Sequence, residues 1–212
     1  MLMLYGHPIS SFTWKALIAL YENDTPFDSV TINQDTYADF KALWPLAKFP
    51  VLRDSDRGAL ITESSCVIEY LDLHYPGRTR FLPTDRDLAL EVRRWDGVFD
   101  NYVMTPMSKI VSERIRPKGQ GDAFGADQAR TLIRTAYEVI EQQLGDRAFI
   151  VGDSFTMADC AAAPALWYGV RNAPLGGAYP RIGAYLERLK QRPSFARALK
   201  NSEPLFHMYP GD

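Results

Sequence analysis

The chain has 212 residues, enough for one or two domains. Charged residues make up 24% and hydrophobic residues 46%, the balance of an ordinary globular protein. A formal net charge of −2 gives no global pull toward nucleic acid or an anionic membrane, and no apolar run approaches the ~20 residues of a membrane span.

Residues 1–5 are short and apolar and read as a buried strand, ended by Gly6-His7-Pro8. No basic segment precedes this run, so a secretory leader is not expected. An amphipathic helix follows, with Trp14, Leu17, Ile18 and Tyr21 at i, i+3, i+4 and i+7. Ser10 and Ser11 are both natural N-caps for it, and Asn23-Asp24 stops it. Residues 27–32 read as a second strand and residues 35–43 as a short helix. Two short strands at 51–52 and 59–61 are joined by the turn 54–58. A helix opening at Glu63-Ser64 carries Val67, Ile68, Leu71 and Tyr75 on one side. The order β-α-β-α-β-β-α implies a mixed sheet covered by helices: a parallel pair first, then an antiparallel hairpin.

Composition shifts at residues 76–83, rich in Pro, Gly and basic side chains, and everything beyond reads as helical. The expected organisation is an α/β unit over 1–77, a linker over 78–86 and an all-helical unit over 87–212. In the second unit a long helix runs over 87–114 with Pro106 expected to kink it, and another over 126–144 ends at Gly145. Thr156 followed by Asp159 forms a capping box with Asp in place of Glu, and Phe155 and Cys160 suit a hydrophobic staple around it. Helices over 180–191 and from Pro193 close the chain. Cys66 and Cys160 sit in apolar helical contexts and are expected as buried thiols, which fits a reducing cytoplasm. His7, His74 and His207 do not cluster, so no metal site is expected.

Two stretches point to a ligand. In Lys48-Phe49-Pro50-Val51-Leu52, proline opens a strand, where its missing N–H is tolerated. If the Phe49–Pro50 bond is cis, the backbone groups of Phe49 are turned out to pair with an extended peptide. Ten residues on, the helix end at Glu63-Ser64 offers free N–H groups that favour a carboxylate. A peptide-pairing edge beside a carboxylate-binding helix end suits a short peptide with a free amino-acid terminus. The plainer reading is a strand start followed by an N-cap.

Taken in order, Ser10-Ser11, Lys48-Phe49-Pro50-Val51-Leu52, Glu63-Ser64 and residues 152–159 resemble the glutathione transferase superfamily over essentially the whole chain. The segment Ser10-Ser11-Phe12-Thr13-Trp14-Lys15 resembles serine-type zeta- and theta-like members, with Phe12 where the zeta segment has cysteine. The resemblance implies a thioredoxin-like N-terminal domain, an all-helical C-terminal domain and a cytoplasmic homodimer. It implies that Pro50 is cis, that Phe49 pairs with the cysteinyl backbone of glutathione, that Glu63 and Ser64 hold the γ-glutamyl end and that Lys48 meets the glycyl end. Met104, Met107, Ser108, Val111 and Trp167 are then candidates for the wall of a hydrophobic acceptor pocket. Asp100, which in related dimers reaches a partner's glutathione, reads here as part of a solvated face.

The implied reaction is attack of glutathione thiolate on a hydrophobic electrophile. An ordinary thiol has a pKa of about 8.5. A hydroxyl donating to the sulfur, at roughly 1.5–3 kcal/mol for a bond to a charged group, lowers that by about one to two units. Ser10 and Ser11 are both candidates, Ser10 favoured by its offset from the basic Lys15. Glutathione-dependent isomerisation or dehalogenation, or ligand binding without turnover, are the alternatives that the same residues allow. Cysteine is absent from 10–13, which argues against thiol–disulfide chemistry.

Overall fold

The computed structural model describes residues 1–210; residues 211 and 212, the end of the expected helical unit, lie outside the description. The first half contains β1 (Leu2–Gly6), α1 (Ser11–Glu22), β2 (Asp28–Thr31), α2 (Tyr37–Leu43), β3 (Val51–Asp54), β4 (Ala59–Thr62) and α3 (Ser64–His74). Its sheet has the order β2-β1-β3-β4, with β1 parallel to β2 and antiparallel to β3. The α1 crossover makes the parallel pair possible, and the β3–β4 hairpin pairs Val51 with Thr62. Alternation along the strands divides the side chains between two faces. Leu2, Leu4 and Leu52 join the main core, while Val51, Ile32 and Phe40 form a smaller one with Tyr5 and Phe49 against it. β3 is therefore buried on both faces.

The second half is helical: α4 (Arg86–Phe99), α5 (Thr105–Arg114), α6 (Ala123–Leu144), α7 (Met157–Asn172), α8 (Pro180–Gln191) and α9 (Pro193–Ser202). A mixed thioredoxin-like sheet domain followed by a helical domain is thus the architecture. The long helix expected over 87–114 is broken by a π-helical turn, Asp100–Met104, in which the Thr105 N–H bonds the Asp100 carbonyl. Pro106 falls at the start of α5, where its missing N–H is tolerated, so the interruption lies just before the proline.

Trp14 joins the two halves. It is fully buried, with Trp167 and Tyr168 of α7 at ring-centroid distances of 5.0 and 5.1 Å and Phe195 of α9 at 6.0 Å. Aromatic pairs of this kind add about 0.5–1.5 kcal/mol each beyond area burial. At the far end of α1, Glu22 takes two bonds from the Arg192 guanidinium, at 2.6 and 2.9 Å, and one from Ser194. The small side chains from Cys160 to Ala165 let α7 run through the centre of the helical domain, wholly buried along that stretch.

The capping box forms: the Asp159 carboxylate accepts the Thr156 N–H at 2.8 Å and the Thr156 hydroxyl at 3.0 Å. It also accepts the Ile150 N–H at 3.1 Å and the Tyr185 hydroxyl, so it ties the 150–156 loop and α8 to α7. Phe155 and Cys160 are both buried in the same core. Cys66, in contrast, is exposed. It precedes Val67 and Ile68 on α3 and falls off the stripe that those two and Leu71 bury.

Candidate functional site

Two adjoining cavities lie at the boundary between the domains. The first, of about 310 Å³, is lined by Lys48, Phe49, Pro50, Glu63 and Ser64 from the sheet domain and by Thr105 and Ser108 from α5. The second, of about 280 Å³, has Ser10 and Ser11 on one wall, Met107, Ser108 and Val111 on another and Tyr168 and Tyr209 behind. Phe12 and Ser108 belong to both, so they form the partition between them.

The first cavity is built from backbone features. The Phe49–Pro50 bond is cis, at the entrance to β3. Glu63 is the N-cap of α3 and holds a positive φ of 63°. For a residue with a Cβ this costs about 1–3 kcal/mol, and such outliers concentrate at functional sites. The Glu63 side chain makes no capping bond and is exposed, while Ser64 beside it is buried. The α3 N-terminus therefore keeps its unpaired N–H groups and partial positive charge toward the cavity wall that Ser64 lines.

Ser10 is the N-cap of α1, with extended backbone angles of −80° and 126°. Its Oγ accepts the Thr13 N–H at 3.3 Å. Capping uses a lone pair and leaves the hydroxyl proton free to donate. Ser11 is the first helical residue and is 8% exposed. His7, at the start of the loop, has a lowered pKa because it is partly buried, which favours the neutral imidazole.

Of the residues expected on the acceptor wall, Met107, Ser108 and Val111 line the second cavity. Met104 and Trp167 do not. Met104 lies in the π turn, fully buried in the core. Trp167 packs edge-on against Trp14, with the Arg171 guanidinium over its ring, while its neighbour Tyr168 lines the cavity.

Sequence reasoning missed a charged cluster behind α3. Lys15 is fully buried, with its ammonium 2.7 Å from Asp96 Oδ1, 2.6 Å from Asp100 Oδ2 and 2.8 Å from Ser65 Oγ. Ser65 in turn donates to Asp96 Oδ2 at 2.6 Å. Asp100 is thus no solvated residue, and its Oδ1 is buried without a hydrogen-bond partner. Burial lifts the Asp100 carboxyl to about 6 although the Lys15 charge opposes the rise. Burial acts to lower Lys15, but Asp100 and Asp96 outweigh it and its pKa is raised. The available signals were a lysine between Trp14 and Ala16 on a buried helix and two aspartates four residues apart, each following a buried aromatic.

Residues 4–79 match the family model for the glutathione S-transferase N-terminal domain, and residues 123–188 match that for the C-terminal domain. Glutathione S-transferase 3 of Zea mays is 30% identical over 210 residues, covering 93% of this chain and 93% of the relative. Glutathione S-transferase F13 of Arabidopsis thaliana is 25% identical over 205 residues, covering 92% and 93%. Among solved structures, a Methylobacillus flagellatus glutathione S-transferase with glutathione bound aligns with a TM-score of 0.84 at 25% identity, covering 93% of this chain and 98% of that one. A Methylobacterium radiotolerans glutathione S-transferase in complex with glutathione sulfonate aligns with a TM-score of 0.82 at 30% identity, covering 93% of each.

Proposed function

The chain belongs to the glutathione S-transferase family, and from that premise we propose that it is a serine-type transferase in which Ser10 activates the glutathione thiol. Glutathione occupies the first cavity. Its γ-glutamyl carboxylate meets Ser64 and the α3 N-terminus, its γ-glutamyl ammonium meets Glu63, and its cysteinyl backbone pairs with Phe49 before cis-Pro50. Lys48, exposed at the rim, meets the glycyl carboxylate. Glutathione bound in one solved relative and glutathione sulfonate in the other support this assignment of ligand.

The observation that carries the reading is the state of the Ser10 hydroxyl. It caps α1 with a lone pair, retains its proton and lines a cavity that adjoins the glutathione groove. Donation of that proton to sulfur stabilises the thiolate, and the α1 N-terminus acts in the same direction. The thiol proton leaves to solvent while serine stays neutral throughout. The thiolate then forms a C–S bond to the electrophile, and the electrophile's leaving group departs with the displaced electron pair. Phe12, Met107, Val111 and Tyr168 make the acceptor wall apolar, which suits a compact hydrophobic electrophile. The reading includes a homodimer and a cytoplasmic setting; the second is supported by two free cysteines, one exposed.

Conjugation of glutathione to an activated aryl halide tests it. Ser10→Ala is expected to lower turnover at pH 6.5 by about 10- to 100-fold, the equivalent of one to two pKa units. Ser11→Ala is expected to leave it within about threefold. Unchanged turnover in Ser10→Ala would overturn the assignment.

A further inference from the structure

The loop that carries Ser10 belongs to the sheet domain, but its carbonyls are held from the helical domain. The Tyr168 hydroxyl, on α7, donates to the carbonyl of Ile9, the residue directly before Ser10. Ser202, the last residue of α9, has its Oγ 2.6 Å from the Pro8 carbonyl. The Trp14 indole N–H reaches that same carbonyl and also Ser202 Oγ, the latter at 2.9 Å. The remaining carbonyl of the loop, at His7, accepts the Ser10 N–H at 2.9 Å. Every carbonyl from residue 7 to residue 9 therefore has a donor. Two of the donors come from helices more than 150 residues away in sequence. Tyr168 and Ser202 are both buried; the Ser202 hydroxyl also lies 2.8 Å from the Ala198 carbonyl of its own helix, and the Trp14 N–H serves the Pro8 carbonyl beside it.

We propose that Tyr168 and Ser202 are positioning residues for Ser10, and that through them the helical domain sets where the activating hydroxyl sits. This rests on the assignment of Ser10 as the thiol-activating group. The geometry supplies the reason that two hydroxyls are needed. The N-cap bond to Thr13 fixes only the helix side of Ser10, and at 3.3 Å it is a long bond. The Ser10 N–H is held by the His7 carbonyl within the loop, and the Ile9 and Pro8 carbonyls are the groups through which the helical domain fixes where that loop sits. Tyr168 ties the nearer one, and Ser202 with Trp14 ties the next. Because Tyr168 also lines the second cavity beside Ser10 and Ser11, the residue that fixes the loop is in contact with the space where the acceptor binds. Neither residue lines the groove of Phe49, Glu63 and Ser64, so glutathione affinity is not their role.

The test compares Tyr168→Phe, Ser202→Ala, Ser10→Ala and the double variant Ser10→Ala/Tyr168→Phe. Each is read by the ultraviolet thiolate absorbance of bound glutathione against pH, by the glutathione Kd from calorimetry and by circular dichroism. Tyr168→Phe keeps the ring and removes only the donor. It is expected to raise the bound thiol pKa by roughly half a unit to one unit, a loss of about three- to tenfold in thiolate at pH 6.5. The glutathione Kd is expected to stay within about twofold. In the double variant the pKa is expected to match Ser10→Ala alone, because Tyr168 acts only through that hydroxyl. Ser202→Ala is expected to shift the pKa in the same direction by less, and it carries the test if Tyr168→Phe fails to fold. A raised pKa in Ser10→Ala with none in Tyr168→Phe or Ser202→Ala would overturn the positioning role and leave Ser10 in place. An additive double variant would also overturn it. No shift in Ser10→Ala itself would instead remove the premise.

Discussion

The ammonium of Lys15, on the first helix of the sheet domain, lies 2.6 Å from Asp100 Oδ2, in the π turn of the helical domain. Asp96, one turn earlier on α4, approaches the same ammonium at 2.7 Å. One cation thus faces two carboxylates across the domain boundary, and the cluster carries an excess negative charge when all three groups are ionised. Ser65 joins it to α3 one residue beyond Ser64. Removing the cation leaves two buried carboxylates with no counter-charge. Lys15→Met is expected to lose about 3–5 kcal/mol of stability at pH 7, the range for breaking a buried pair from one side. Urea unfolding checks this, and a midpoint equal to wild type would contradict it.

Burial of Asp100, with the Asp96 charge beside it, gives the cluster a pH dependence of definite sign. Burial lifts the Asp100 carboxyl to about 6, above the ~3.9 of an unperturbed aspartate. Between those values the folded state binds more protons than the unfolded state, so the contribution of this group is complete below about pH 4 and is lost as pH rises through 6. Asp100→Asn mimics the protonated form at every pH. Its Tm relative to wild type is expected to rise between pH 4.5 and 7.5. A relative Tm that falls over that interval would contradict the assignment.

Asp159 holds four donors in the heart of the helical domain, so its loss is expected to exceed that of the cap residue it serves. Thr156→Ala is expected to cost roughly 0.5–2 kcal/mol. Asp159→Ala leaves the Ile150 and Thr156 N–H groups and the Tyr185 hydroxyl unpaired, and buried polar groups in that state cost about 1–3 kcal/mol each. Urea denaturation of both variants is expected to show the larger loss for Asp159→Ala. Equal losses would mean that the loop and α8 are held by other contacts.

The partition between the cavities makes acceptor and glutathione binding separable. Val111 lines the second cavity and not the first. Val111→Trp fills that space and is expected to raise the acceptor KM by about tenfold or more, with the glutathione KM unchanged. Steady-state kinetics with each substrate varied in turn provides the measurement. An unchanged acceptor KM would put the electrophile elsewhere.

The features legible in the sequence are the ones written in consecutive residues. The Ser10 cap, the Phe49-Pro50 strand entry, the Glu63-Ser64 helix start and the Thr156–Asp159 box each depend on side chains within three residues of one another. The Lys15 cluster was hidden because its partners are 50 to 85 residues away and because a lysine next to Trp14 reads locally as the polar edge of an amphipathic helix. Met104 was misplaced for a different reason. The resemblance points to a stretch of helix near the kink and not to single side chains, and Met104 falls in the π turn with its side chain in the core. The hold of Tyr168 and Ser202 on the serine loop spans 159 and 194 residues, which no local pattern signals.

The central claim is that the Ser10 hydroxyl stabilises the glutathione thiolate. The direct measurement is the ultraviolet thiolate absorbance of bound glutathione against pH in wild type, Ser10→Ala and Ser11→Ala. The account predicts a wild-type pKa about one to two units below the free value of ~8.5, returned toward that value by Ser10→Ala and left in place by Ser11→Ala. A wild-type thiol that binds with an unshifted pKa, or a shift that survives Ser10→Ala, would contradict it.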